Sequence, residues 1–146
     1  MNLSKNCKIT TALDYASGTA DREGAIIDMQ GYDGVLMITK FADLAGSCVT
    51  TVKAQQDTDD AFGDDPQDLE GTGITVADDD DDEIFVIDLY RPLERYVRLY
   101  VDKDAAHASG ESAIYVQYSG SKAPVDNNVA DAVTCELHIS PAEGTA

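Results

Sequence analysis

Tryptophan is absent from this 146-residue chain, cysteine occurs three times, histidine twice, and only 10 bases stand against 28 acids. Each scarcity excludes something. Cys7, Cys48 and Cys135 lie far apart, are odd in number and have no C-x-x-C spacing, so neither a disulfide framework nor a zinc site is expected. They read as free, mostly buried thiols of a reducing cytoplasm. His107, in the polar stretch DKDAAHASGE, and His138, in CELHI, have no ligand-spaced companion, so both are expected in structural or surface roles. Nucleophile elbow, phosphate loop, dinucleotide fingerprint and H-E-x-x-H motifs are all missing, which leaves an enzyme no residues to work with. No apolar run approaches the length of a transmembrane helix. The opening MNLSKNCKITTALDYASG has two lysines with no apolar stretch behind them, so no secretory leader is expected. The net charge of -18 repels phosphate backbones and argues against nucleic acid as a partner.

A chain of this length suffices for one domain, burying roughly 68–70% of its unfolded surface without staples. Its charge is uneven: residues 56–83 hold 13 of the 28 acids and no lysine or arginine. That segment reads as two acidic loops, QDTDDAFGDDPQDLEGTG and DDDDDE, around the short strand ITVA. Elsewhere, runs of Val, Ile, Tyr and Thr between turn residues predict strands at 25–29, 34–42, 47–55, 73–77, 83–90, 95–102, 112–119 and 133–139. The fold class predicted is all-β, a single antiparallel β-sandwich or jelly-roll-like domain over 25–139. Residues 1–24 are expected as an arm or leader, able to add a strand to a neighbour, and 140–146 as a loose tail. In EIFVIDLY, Phe85, Ile87 and Leu89 alternate with Ile84, Val86, Asp88 and Tyr90. In RYVRLYVD, Val97, Leu99 and Val101 oppose Tyr96, Arg98 and Tyr100.

Two features of that region are candidate sites. Asp78, Asp79, Asp80, Asp81, Asp82 and Glu83 form a run that reads first as a solvated turn and second as an electrostatic contact loop for a basic partner. A calcium loop starting at Asp57 finds Asp59 but then Ala61 and Phe62 where an acid and a glycine belong, so no metal or other cofactor is expected. Three of the four arginines, Arg91, Arg95 and Arg98, cluster in RPLERYVR. They read as strand-face partners of Asp88, Glu94 or Asp102, or, with Tyr96 and Tyr100, as an interface between copies. Carbohydrate binding would rest on Tyr96, Tyr100 and Tyr115 sharing an outward face. A small sandwich module for sugar or a divalent cation is therefore the alternative function.

The phrases ALDYASGTADREGAIIDMQGYDGVLMITKF, VKAQQ, GITVADDDDDEIFVIDLYRPLERYVRLYVD and LHISPAEGTA span nearly the whole chain. In them the sequence resembles the capsid cement or decoration proteins of tailed bacteriophages of the marine siphovirus type. The resemblance implies a non-enzymatic β-sandwich made in the bacterial cytoplasm, docked as a homo-oligomer on the outer surface of the virion head. Its partners would be the major capsid protein and itself, with a trimer favoured over a dimer, and no membrane or nucleic acid. The family has no catalytic residues to carry over. The three cysteines and the long acidic run are not explained by it.

Overall fold

The computed structural model describes residues 2–63, 66–140 and 142–145. Met1 of the expected arm, Asp64 and Asp65 of the first acidic loop, and Pro141 and Ala146 of the tail lie outside the described residues. A one-turn helix, α1 (Leu3–Asn6), precedes ten strands: β1 (Lys8–Gly18), β2 (Arg22–Glu23), β3 (Ile27–Asp28), β4 (Gly34–Leu44), β5 (Val49–Asp57), β6 (Gln67–Asp68), β7 (Ile74–Ala77), β8 (Ile84–Tyr90), β9 (Tyr96–Lys103) and β10 (Ser109–Tyr118). Sheet A has the order β1-β10-β4-β8; sheet B runs β2-β9-β5-β6, with β3 also on β9 and β7 also on β5. Every pairing is antiparallel. The chain is thus an all-β sandwich of two antiparallel sheets, as its strand pattern predicts.

Period-two alternation explains how the sheets meet. Val35, Met37 and Phe41 from β4 and Val97, Leu99 and Val101 from β9 are wholly buried between them, with Val52, Val76, Ala113 and Ile87. Phe41 meets Phe85 edge-to-face at 5.6 Å. Tyr115 is fully buried, and its hydroxyl accepts the Leu99 N–H at 2.7 Å, tying sheet A to sheet B. Burial raises that phenol's pKa well above its ordinary value. Gly24 makes the close approach possible, since a Cβ there would lie 2.4 Å from the Tyr115 hydroxyl.

The chain departs from the sequence expectation at both ends. Lys8–Gly18, inside the expected arm, is an eleven-residue strand of the chain's own sheet, paired with β10. Register shifts between Thr11 and Leu13 and between Leu13 and Ala16 break its alternation, so it carries no period-two signature. Conversely, VTCELHI at 133–139 has strand composition but joins no sheet; Val133 makes only an isolated bridge to Val129. Of the run at 25–29, only Ile27–Asp28 pairs. EIFVIDLY and RYVRLYVD, adjacent in sequence, lie in opposite sheets, because the chain crosses between them at Arg91, whose φ of 54° turns it.

Candidate functional site

The outer face of sheet B carries most of the Arg/Tyr strip, and its arginines are taken. Arg95 donates to both Asp28 carboxylate oxygens, Nε at 2.9 Å and an Nη at 2.7 Å, and to Gln30. That bidentate bond holds the Asp28 carboxyl below its ordinary pKa. Arg98 has a side chain only 7% exposed; it pairs with Glu23 at 2.9 Å, donates to Gln55 and lies 4.5 Å over the Phe62 ring. Tyr96 lies under Arg95, and Tyr100 donates to Asp21 while flanked by Arg98 and Lys53. Lys53 itself bridges Asp68 and Asp102, and the Lys53 bond leads in lowering the Asp68 pKa. Arg91 alone stands apart, over the Tyr90 ring at the crossover and beside a shallow cleft of about 400 Å³. The arginines' partners are therefore Asp28 and Glu23 from β3 and β2, not Asp88, Glu94 or Asp102. Tyr115 does not share this face, being core.

The acidic run is the crossover from β7 in sheet B to β8 in sheet A, and three of its six carboxylates cap backbone. Asp81 accepts the N–H of Leu44, the last residue of β4, at 2.7 Å, and Asp78 that of Ser47, in the β4–β5 connection, at 2.6 Å. Asp80 accepts the Ala77 N–H, and Asp82 pairs with Lys40. Asp79 and Glu83 are exposed. Next to this loop, Asp104 accepts the N–H groups of Val49, Ala106 and His107 and contacts His107 Nδ1 at 2.8 Å. The bonds from His107 lead in driving its carboxyl well below the usual range. These acids pin the three connections at one end of the sandwich. Among the described residues, no three His, Cys, Asp or Glu side chains gather closely enough to hold a metal ion. The cysteines are free, Cys7 and Cys48 buried and Cys135 partly so.

A second charged group, unread in the sequence, is interior. Lys103 and Glu111 are both 0% exposed and paired at 3.0 Å, with Arg22 also on Glu111 Oε1 at 3.0 Å. Lys103 Nζ further donates to the Gly18 and Ser109 carbonyls, and Ser109 donates to Glu111 Oε2. The group joins β9 of sheet B to β10 of sheet A with its hydrogen bonds satisfied.

The outer face of sheet A is the reverse of sheet B's. Because Val35, Met37, Thr39 and Phe41 point into the core, Leu36, Ile38 and Lys40 point out. Register places them in rows: Ile9, Val116 and Leu36 in one; Ile114, Ile38 and Val86 in the next; Lys40 beside Ile84 beyond. Ile84 is 61% exposed, Val86 44% and Ile114 42%. Charge stays at the ends of this face. Asp43 receives the Tyr15 hydroxyl and Asp88 the Tyr118 hydroxyl, whose pKa burial and that bond push up to about 12. At the Tyr118 end the face opens into an apolar cleft of about 550 Å³ lined by Leu3, Cys7, Leu36, Val116 and Tyr118. The sequence did hold a signal: GVLMITKFA and EIFVI are apolar on both alternating sets, which marks a strand covered on both faces. Here only one face is covered. No known protein family matches the chain, and no curated protein does.

Proposed function

We propose that this chain is a non-enzymatic cement protein of a tailed-phage head, binding the outer surface of the mature shell as a homo-oligomer and holding neighbouring major capsid subunits together. The observation that carries the reading is the aliphatic outer face of sheet A on a chain of net charge -18. A contiguous exposed apolar face rimmed by polar groups marks a surface meant for a protein partner. A sandwich with charges paired across sheet B and loops pinned by carboxylates is a stiff body that transmits load between the subunits it touches.

The work is done by linkage. A protein that binds the expanded lattice better than the precursor or broken shell stabilises the expanded state by that difference. Each contact can be weak, because an oligomer seated at a symmetry axis attaches through several sites and gains effective concentration. Mixing the purified protein with expanded, undecorated heads of its phage and sedimenting them tests the reading. Saturation at a fixed number of copies per head is expected, and failure to saturate overturns it.

A further inference from the structure

One segment has strand chemistry and no sheet, and one sheet has an edge and no strand. In VTCELHI, Val133, Cys135, Leu137 and Ile139 occupy one alternating set and Thr134, Glu136 and His138 the other. The segment is extended enough that Glu136 and His138, two residues apart, meet at 3.0 Å on one side. Its aliphatic side chains are left in water, Leu137 43% and Ile139 90% exposed. β8 ends sheet A, and its length of seven residues equals that of 133–139. The core beneath that edge is open too, for Phe85 and Leu89 only half-bury against it. The opposite edge, β1, is already covered: Ile9 donates to Asn127 Oδ1, Asn127 donates to the Cys7 carbonyl, and Ala25 donates to the Ala12 carbonyl.

We propose that residues 133–139 of one copy add as a strand to the β8 edge of a second copy of this chain, with Val133, Cys135, Leu137 and Ile139 laid over Phe85, Ile87 and Leu89. The ladder satisfies an unprotected edge, and the alternating set closes the core margin, as in strand-addition recognition. The occupant is another copy because the segment leaves from the wrong side to reach its own β8. Val125 donates to the Lys5 carbonyl, Lys8 to that of Asp126, and the Val129–Val133 bridge fixes the root beside β1. From β1 to β8 is three strand spacings, roughly 14 Å. Donor and acceptor thus lie on different edges of sheet A, a head-to-tail contact that forms a ring where the rotation between copies closes. Thr134, Glu136 and His138 then face outward beside Ile84 and Val86.

The test uses the full chain alone, without heads, so its failure is separate from failure of the shell reading. Light scattering across a concentration series is expected to give a multiple of the 15.6 kDa chain mass. The double variant Leu137→Glu, Ile139→Glu is expected to fall to the monomer mass with an unchanged β-sheet circular dichroism spectrum. Under a mild thiol oxidant, Phe85→Cys or Leu89→Cys is expected to form a disulfide to Cys135 of another copy, lost when Cys135→Ser is added. A monomeric full chain, a double variant that keeps its oligomeric mass, or no cross-link from either cysteine overturns the proposal. An oligomer abolished by Ile84→Lys and untouched by the tail variant overturns it in favour of face-to-face association.

Discussion

The two outer faces of the sandwich use their side chains in opposite ways. On sheet B, Arg95, Arg98 and Lys53 each meet a carboxylate of the same chain, so the face is finished within one molecule. On sheet A, Ile84, Val86 and Ile114 keep much of their surface in water. The lesson is that residue type alone does not tell which side chains of a face are already held within the chain. Arginine and tyrosine are typical of interface anchors, but an arginine held by its own chain must break that bond before it can bind another. An exposed isoleucine has no such bond to lose.

The comparison predicts unequal costs. The greatest follows from the buried pair that links the sheets: Glu111→Leu leaves Lys103 an unpaired interior cation and should cost about 3–5 kcal/mol, read from the shift in urea midpoint. Next, Arg98→Ala on sheet B removes a nearly buried guanidinium from Gln55 and the Phe62 ring and should cost about 2 kcal/mol, whereas Arg95→Ala, half-exposed at both partners, should shift the urea midpoint less than Arg98→Ala does.

Acid separates the faces in another way. Asp28 and Asp68 have folded pKa values held below their unfolded ones, chiefly by bonds from Arg95 and Lys53. Their contribution is complete above the unfolded carboxylate pKa, about 3.9, and is lost as pH falls through the lower folded values. Asp28→Asn and Asp68→Asn should therefore flatten the acid limb of the stability-against-pH curve below about pH 4. An unchanged limb would detach these pairs from stability. The smallest effect belongs to sheet A: Ile84→Lys with Val86→Lys should leave the unfolding free energy within about 0.5 kcal/mol of the parent chain. A larger loss would mean that this face is part of the fold and not a surface held for a partner.

What the sequence made legible follows from how local each signal is. β4 as far as Phe41 and the later part of β10 keep period two without interruption, and both read as strands from residues alone. β1 does not, since its register shifts at Thr11–Leu13 and Leu13–Ala16 scramble the alternation, and its Thr and Ala residues carry little apolar signal. The two-residue strands β2, β3 and β6 are too short to show any period. Partner identity was the least legible: Arg95 finds Asp28, which lies 67 residues away, while the nearby candidates went elsewhere, Asp88 to Tyr118 and Asp102 to Lys53. The β3–β9 pairing, which sets Asp28 opposite Tyr96, and the crossing of β8 into the other sheet decide that. The aliphatic face was written in the two apolar sets of GVLMITKFA, but which set lies outward depends on the sheet's one-sided packing.

The proposed function turns on the aliphatic face of sheet A as the surface offered to a shell. Binding of two variants to expanded, undecorated heads of its phage, measured by co-sedimentation, tests it most directly. Arg95→Ala, which alters sheet B, should saturate the heads at the stoichiometry of the parent chain, and Ile84→Lys with Val86→Lys, folded to the same stability, should stay in the supernatant. Saturation by the lysine variant at the parent stoichiometry would contradict the account.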